Sequence, residues 1–405
     1  MSHYALECVE CGRTFSDDSL LRCPRCGGLL EVALDYDAIE VDRRTLERRE
    51  LGVWAFRELL PVSTDDPVTM GEGGTGLHPC PTLADELGVR SLHVKNEGEN
   101  PTGSFKDRGM TVGVTKAVEL GAEVVACAST GNTSASLAAY AARAGLTCAV
   151  LLPAGKVALG KLAQALFHGA RVVPVDGNFD DALAVVRRLA EEGLVYLLNS
   201  VNPFRLSGQR TIAYEICRQL GWEVPDAVVV PVGNAGNISA IWQGFLDLRA
   251  LGLIDELPRM YGVQAEGARP IVDAVLEGRE DIEPDPDPET VATAIRIGNP
   301  VNAVKALRAI RCSGGWAVAV TDDEILRAQR KLATREGIFV EPASAASIAG
   351  LRRLVEAGEI EPDESVVCVT TGHGLKDPEI VMETCELPEP VEPDPERIKE
   401  RLGLR

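Results

Sequence analysis

The sequence is organised around residues 99–110, which read ENPTGSFKDRGM. Pro101 fixes its own φ and Gly103 tolerates positive φ, so these two residues predict a turn at the start of the stretch. Ser104 is expected to cap a helix that continues through the apolar residues beyond it, which places Lys106 at the second helical position. Because the N-terminal end of a helix disfavours a cation, this amine should lose its proton readily, and a neutral amine can form a Schiff base.

Residues 101–109 resemble the cofactor-lysine segment of the fold-type II pyridoxal-phosphate enzymes, and most closely that of the threonine synthases. The resemblance extends over residues 68–378 and includes three further motifs in the same order. It implies that Lys106 is the catalytic lysine and that it binds pyridoxal 5′-phosphate covalently. A lone lysine on an amphipathic helix is usually a solvated surface residue, so this interpretation depends on the other motifs.

The composition is that of a globular protein large enough for two or three domains. The chain has 405 residues, of which 45% are hydrophobic, and its N-terminus has no basic segment followed by an apolar one. No apolar run approaches the ~18 residues of a membrane span. The net charge of −20 disfavours broad nucleic-acid binding. We therefore expect a cytoplasmic enzyme with a small-molecule substrate and neither a membrane nor a nucleic-acid partner, and we expect it to form a homodimer.

Two Cys-x-x-Cys pairs near the start of the chain predict a metal site. The first pair is Cys8 and Cys11, the second is Cys23 and Cys26, and a glycine follows the second cysteine of each pair. Four thiolates can surround one tetrahedral Zn²⁺ and leave no open coordination position. We therefore expect a structural zinc ribbon at residues 1–34 rather than a catalytic metal site.

The rest of the chain predicts an α/β enzyme. Residues 35–67 are interpreted as a connector with one helix over residues 43–60. From residue 68 to residue 385 strand-like and helix-like segments alternate, which is typical of parallel sheets covered by helices. We expect a catalytic core with the two three-layer parallel-sheet domains of fold-type II pyridoxal-phosphate enzymes, the smaller at about residues 104–200. Residues 386–405 form an acidic, proline-rich tail with a short terminal helix.

Local sequence patterns also predict the individual strands and helices. Strands are predicted at residues 91–95, 124–128, 147–152, 172–175, 195–198, 227–231, 261–264 and 365–370. Helices are predicted at residues 134–143, 159–168, 180–191, 238–248, 322–336 and 343–357.

Three loops that follow predicted strands contain groups able to bind anions or polar ring atoms. Backbone N–H groups at the start of a helix donate to anions, and glycines allow the backbone to approach them closely. A glycine-rich loop at residues 71–77 also resembles a family segment, with Gly76 in place of proline. The resemblance implies these roles: Ser129, Thr130 and Thr133 for the substrate carboxylate, Asn132 for the cofactor 3′-oxygen, Gly233, Asn234, Ala235, Gly236 and Asn237 for the cofactor phosphate, and Thr371 for the pyridine nitrogen.

Residues 198–210 distinguish between members of the family. Asn199 and Ser200 follow a predicted strand, and the guanidinium of Arg205 matches the geometry of a phosphate. An arginine in a loop is usually solvated, but this arrangement is similar to the pocket for the substrate's own phosphate in threonine synthases. The resemblance thus implies conversion of O-phospho-L-homoserine and water to L-threonine and phosphate.

Three alternative functions remain at this point. A cysteate synthase would share the ribbon and loops but use O-phosphoserine and sulfite. A threonine or serine dehydratase would need no phosphate pocket. A non-catalytic ligand sensor is disfavoured because Lys106 is intact.

Overall fold

The computed structural model describes residues 3–154, 159–177, 179–384 and 389–404. Within these residues the strands form a three-stranded, a six-stranded and a four-stranded sheet. In chain order the strands are β1 (Tyr4–Cys8), β2 (Thr14–Phe15), β3 (Leu30–Leu34), β4 (Leu77–Pro79), β5 (Ser91–Asn96), β6 (Val124–Ala128), β7 (Thr147–Pro153), β8 (Arg171–Val175), β9 (Tyr196–Leu197), β10 (Ala227–Pro231), β11 (Arg259–Ala265), β12 (Ala317–Val320) and β13 (Ser365–Thr370).

Helices cover the two larger sheets and connect their strands. Among the helices of the described ranges, none has both the length and the apolar character needed to span a bilayer. In chain order they are α1 (Arg43–Glu47), α2 (Pro81–Leu87), α3 (Lys106–Glu119), α4 (Asn132–Ala144), α5 (Leu159–Phe167), α6 (Phe179–Glu191), α7 (Pro203–Gln219), α8 (Gly236–Ala250), α9 (Pro270–Leu276), α10 (Ala303–Cys312), α11 (Asp322–Glu336), α12 (Pro342–Glu356), α13 (Pro378–Thr384) and α14 (Pro395–Leu402). Short 3-10 helices lie at Tyr36–Ala38, Val53–Leu59, Glu97–Glu99, Thr293–Ile295 and Gly374–Lys376.

The two larger sheets confirm the predicted α/β class. The six-stranded sheet has the order β12-β11-β10-β13-β5-β4, and the four-stranded sheet has the order β8-β7-β6-β9. All neighbours in them are parallel except β4 and β5. The edge strand β4, which was not predicted from the sequence, runs antiparallel to β5, as is common at the edge of otherwise parallel sheets. The smaller sheet uses one continuous segment, whereas the larger sheet takes β4 and β5 from before that segment and four strands from after it.

The N-terminal ribbon has the expected cysteine cluster. β1 pairs antiparallel with β2 and β3, and the four cysteine Sγ atoms all lie within 4.8 Å of one another. Each of the two turns is closed by a glycine N–H, from Gly12 to the carbonyl of Cys8 and from Gly27 to that of Cys23, both at 2.9 Å. Four sulfur atoms at this spacing fit the tetrahedral Zn²⁺ geometry.

The ribbon packs directly on the catalytic core. Arg210 on α7 donates to the Val32 carbonyl at 2.5 Å, and Lys305 on α10 donates to the Leu30 carbonyl at 3.2 Å. The Tyr4 ring also makes an edge contact with Phe204, with ring centroids 6.2 Å apart. The ribbon and helix α7 therefore support each other.

The prediction of a single connector helix is wrong. The single connector helix over residues 43–60 is instead α1 followed by a 3-10 helix at Val53–Leu59. Gly52 is fully extended between them (φ 166°, ψ 176°), and Val53 N–H donates to the Glu72 carbonyl at 3.1 Å. The chain therefore leaves the helix to pair with the glycine-rich loop. Helix propensity does not predict such a tertiary contact.

No helix was predicted within residues 198–210, but α7 begins there. The Asn202 side chain accepts from the N–H of Arg205 at 3.0 Å, and Pro203 occupies the first helical turn. Asparagine followed by proline is a known helix-start pattern, so the signal was present in the sequence. Other elements without a sequence prediction are α2, α9, α10, α13, β4 and β12.

Most of the predicted core elements are confirmed. The strands predicted at residues 124–128, 227–231 and 365–370 coincide with β6, β10 and β13. In the tail, α14 confirms the short terminal helix, while residues 385–388 lie outside the described residues.

The ribbon generates a prediction about metal and stability. Purified protein should contain about one zinc per chain, and Cys23→Ser should lower the melting temperature by at least a few degrees because metal binding contributes to folding. Metal analysis and calorimetry test this, with the exposed Cys312→Ser as the matched control. Metal-free wild-type protein, or equal melting temperatures for both variants, would contradict it.

Candidate active site

Lys106 lies at the first position of α3, not at the second. The residue before the helix is Phe105, and Ser104 makes no side-chain cap, so the predicted Ser104 cap is wrong. Ser104 instead pairs with Gly372 in an isolated bridge, and Phe105 N–H donates to the Thr371 carbonyl at 3.0 Å. The turn before Lys106 is therefore attached to the loop that follows β13, which brings two distant motifs together.

The Lys106 amine has an environment that favours its neutral form. Its pKa is lowered to about 7, mainly by burial and also by the positive charge of Arg205, while the carboxylate of Glu341 opposes the shift. The amine also lies 3.6 Å from the centre of the Phe105 ring. The expected loss of a proton is thus supported, but its main cause is burial rather than the helix end.

Two residues predicted to contact the cofactor ring converge on one carboxylate. Asn132 Nδ2 donates to both oxygens of Glu341, at 3.1 and 3.0 Å, and Thr371 Oγ1 donates to Glu341 Oε1 at 3.2 Å. Ser344 Oγ lies 2.9 Å from Thr371 Oγ1 and accepts from the Thr371 N–H at 2.8 Å. Asn132 and Thr371 therefore face the same small volume near Lys106.

Glu341 was missed by the sequence reasoning. It is 4% exposed and immediately precedes α12. Burial raises the pKa of its carboxyl, while hydrogen bonds from Asn132 and the charge of Lys106 oppose that shift. The only local signal was a carboxylate directly before a proline and an alanine-rich helix, which is equally typical of an ordinary helix start.

The loop at residues 129–134 lies at the carboxyl end of β6, where α4 begins. Asn132 is the first residue of α4, and Ser129, Thr130 and Thr133 surround it in sequence with partly exposed side chains. Ser129 Oγ accepts from the Gly131 N–H at 3.3 Å. This arrangement leaves a helix N-terminus and neighbouring hydroxyl groups at one edge of the smaller sheet.

The loop between β10 and α8 has the geometry of an anion-binding turn. Ala235 adopts the left-handed conformation (φ 64°, ψ 0°) directly before α8, which directs successive backbone N–H groups to one side. A Cβ atom at Gly233 would lie 2.9 Å from the Ala294 carbonyl oxygen, so only glycine fits there. Asn237 is 7% exposed, and both polar atoms of its side chain have no hydrogen-bond partner among the described residues. The loop therefore fits a phosphate group.

Arg205 is a second anion-binding candidate, and it is buried rather than solvated. It is 1% exposed on α7, and its Nε and Nη1 atoms have no hydrogen-bond partner in the described part of the chain. Burial lowers its pKa to about 10. A buried cation without a partner is costly, so the position favours a ligand that supplies negative charge.

Asn199 and Ser200 are tied to neighbouring backbone. The Asn199 amide donates to the Ala128 carbonyl and accepts from the Ala128 N–H, both at 2.9 Å. The Ser200 carbonyl accepts from Asn302 Nδ2 at 3.1 Å, and Asn302 N–H donates to the Asn234 carbonyl at 3.1 Å. Asn302, which the sequence reasoning missed, thus connects the segment before α7 to the loop between β10 and α8.

A buried charge network holds the helices that carry these residues. Arg108 donates to Glu97 Oε2 at 2.5 Å and to both oxygens of Glu215 at 2.7 Å. Lys95 Nζ and the Gly74 N–H also donate to Glu215, at 2.7 and 2.8 Å. All four charged side chains are fully buried. Burial alone would raise the pKa of Glu215, but Arg108 and Lys95 lower it to about 2.

A second lysine lies near the turn that precedes α3. Lys376 Nζ donates to the Thr102 carbonyl at 3.0 Å and also bonds the Gln164 side chain on α5. Burial lowers the pKa of this amine, while Glu341 and Asp107 oppose the shift. Lys376 therefore links the loop after β13 to the smaller sheet's helices.

The comparisons with known proteins agree with this geometry. Residues 68–372 match the family described as pyridoxal-phosphate dependent enzyme, and the chain belongs to that family. A solved structure of maize serine racemase superposes with a TM-score of 0.65 at 20% identity, over 76% of this chain and 91% of that one, and shows the same fold.

Two relatives that align over nearly the full length are named threonine synthase, the family member that the sequence resembles most. A threonine synthase of Methanocaldococcus jannaschii is 62% identical over 98% of both chains. A threonine synthase of Methanosarcina acetivorans is 59% identical, again over 98% of both. The family predicted from the Lys106 segment is therefore confirmed.

The position of Lys106 predicts a loss of function on substitution. Lys106→Ala should abolish turnover and covalent cofactor attachment, a loss of roughly a thousandfold or more, because no other amine of the described residues occupies its place. Steady-state kinetics and the visible absorbance of the bound cofactor measure this, with Lys331→Ala as a control outside the site. Sustained multiple turnover by Lys106→Ala would refute the assignment.

The low pKa of Lys106 predicts a pH dependence. Only the neutral amine is nucleophilic, so the rate of covalent attachment of pyridoxal phosphate to cofactor-stripped protein should rise as pH increases through about 7 and then level off. Stopped-flow absorbance measures the rate. A rate that continues to rise tenfold per unit up to pH 9 would place the amine's pKa near its ordinary value.

Proposed function

We propose that this pyridoxal-phosphate-dependent lyase converts O-phospho-L-homoserine and water to L-threonine and phosphate. The observation that carries the proposal is the buried, partly unpartnered Arg205 on α7, whose charge acts on Lys106. A separate loop between β10 and α8 suits the cofactor phosphate, so Arg205 remains for a second anionic group. Among the candidate substrates, a phosphorylated amino acid supplies such a group.

The residues present fit pyridoxal 5′-phosphate. The left-handed Ala235, the glycine-dependent approach at Gly233 and the unpartnered Asn237 side chain suit its phosphate. Asn132 and Thr371 face the volume beside Lys106, as expected for contacts to the 3′-oxygen and the pyridine nitrogen. When bound, the cofactor supplies an electron sink for negative charge at the substrate Cα. A neutral hydroxyl at the ring nitrogen suits elimination and replacement better than transamination.

Lys106 is proposed to move the protons of the reaction. Its neutral amine removes a proton from Cα, releases that proton and, neutral again, removes one from Cβ, after which phosphate leaves from Cγ. Cγ is then protonated, water adds at Cβ and a proton returns to Cα, which gives threonine. A pKa near 7 allows the amine to accept and return protons at neutral pH.

The remaining substrate contacts are proposed from the positions of the residues in the structure. Ser129, Thr130 and Thr133, around the start of α4, are proposed to hold the substrate carboxylate. Arg205 with Ser200 is proposed to hold the substrate phosphate. Asn199 is proposed to contribute mainly by fixing this segment to β6, because both its polar atoms already bond the Ala128 backbone.

The domain boundaries, the metal ligands and the oligomeric state are part of the same proposal. We propose domain boundaries after residues 34, 67 and 385, with the smaller core unit at about residues 104–200. Cys8, Cys11, Cys23 and Cys26 are proposed as the ligands of one structural Zn²⁺. A homodimer is proposed as the oligomeric state, to be tested by light scattering.

A direct assay separates this function from the alternatives. Phosphate and threonine should form from phosphohomoserine, whereas phosphoserine with sulfite should give no cysteate and threonine should not be deaminated at a comparable rate. Cysteate formation at a higher kcat/KM than threonine formation would overturn the proposed substrate.

Arg205 generates a prediction about substrate specificity. A desolvated charge-assisted hydrogen bond contributes ~1.5–3 kcal/mol, so Arg205→Ala should lower kcat/KM for phosphohomoserine roughly ten- to a hundredfold. Arg205→Lys should recover part of this loss, and cofactor affinity should change little.

The exposed Arg143 on α4 provides the matched control, and Arg143→Ala should leave kcat/KM unchanged. If Arg205→Ala loses affinity for cofactor and substrate together, Arg205 supports the cofactor site instead, and the phosphate-substrate proposal loses its main local support.

A further inference from the structure

Glu341 occupies the place where two groups proposed to contact the cofactor meet. Asn132 Nδ2 bonds both of its oxygens, at 3.1 and 3.0 Å, and Thr371 Oγ1 bonds Oε1 at 3.2 Å. By the proposed function, Asn132 serves the cofactor's 3′-oxygen and Thr371 serves its pyridine nitrogen. A bound ring must therefore compete with the Glu341 carboxylate for the same two partners.

We propose that Glu341 is a cofactor-facing residue that takes up a proton when pyridoxal phosphate binds. The cofactor's 3′-oxygen carries a negative charge. When Asn132 donates to this oxygen instead of to Glu341, the Glu341 carboxylate becomes a second negative charge in a poorly solvated site. Protonation removes this repulsion and turns the carboxyl into a donor. The inference rests on the proposed function, from which the ring contacts of Asn132 and Thr371 come.

The charged groups around Glu341 in the described structure agree with proton uptake by its carboxyl. The amines that act on it are Lys106 at the start of α3 and Lys376 in the 3-10 helix after β13, and Arg205 acts on Lys106 from α7. With Glu341 only 4% exposed, burial already raises the pKa of its carboxyl in the protein without cofactor.

The test measures cofactor-ring binding as a function of pH, not activity. Lys106→Ala and Lys106→Ala/Glu341→Gln are compared, because the alanine removes both the covalent link and the titration of the amine. The probe is 4′-deoxypyridoxine 5′-phosphate, which lacks the aldehyde and cannot react with Lys376. Its own titration is the same in both measurements and cancels in the ratio of the two dissociation constants.

The dissociation constant of Lys106→Ala should rise more steeply with pH than that of the double variant. Between pH 6 and pH 9 the ratio should change at least tenfold, because uptake of one proton alters affinity by up to tenfold per pH unit. Glu58→Gln in the Lys106→Ala background is the matched control, since Glu58 is a half-buried carboxylate in the connector, paired with Arg49. The Lys106→Ala/Glu58→Gln variant should keep the steep rise of the dissociation constant with pH.

Parallel pH profiles for the two proteins would overturn the proposal. If the double variant does not fold, calorimetry of Lys106→Ala in two buffers of different ionisation enthalpy measures proton uptake directly. An uptake below about 0.2 proton near neutral pH would show that Glu341 stays charged or turns away, and would equally overturn the proposal. Threonine formation by the unaltered enzyme tests the proposed function separately, so the two failures are distinguishable.

Discussion

The structure depends on the ion network in which Arg108 bridges Glu97 and Glu215. Two cations and two carboxylates balance each other without contact with solvent, so removal of any one would leave an uncompensated buried charge. The network joins β5, the glycine-rich loop, α3 and α7. Lys106 lies two residues from Arg108 on α3, and Arg205 lies on the same helix as Glu215. The network therefore determines where the two active-site cations sit relative to each other.

This arrangement has a chemical consequence. Burial and the positive charge of Arg205 lower the pKa of Lys106 to about 7, so the lysine, with the lower ordinary pKa, becomes neutral near pH 7. Arg205 keeps its charge and still needs an anionic partner. The same pair thus yields both a neutral amine for proton transfer and a cation for a phosphate, and the buried Glu341 adds a carboxyl that links these charges to the proposed cofactor position.

Sequence patterns predicted the parts of the fold that depend on local chemistry. The buried strands β6, β10 and β13 are short apolar runs between turn residues, and the four cysteines show their spacing directly. The start of α7 had a local signal in Asn202 and Pro203, but no helix was predicted there. The connector helix and the Ser104 cap failed for a different reason, because backbone pairing with Glu72 and Gly372 replaced the helical geometry that the local residues favour.

The sequence by itself determined the family and predicted the cofactor lysine and the loops around it, because residue type and spacing along a short segment carry that chemistry. Only the tertiary structure decided that Arg205 is buried, that Asn199 is committed to the Ala128 backbone, and that Glu341 lies between Asn132 and Thr371. Burial, desolvation and charge pairing depend on which distant segments meet. Glu341 is 235 residues from Lys106 in the chain, and it affects that amine because packing places both groups in one poorly solvated volume.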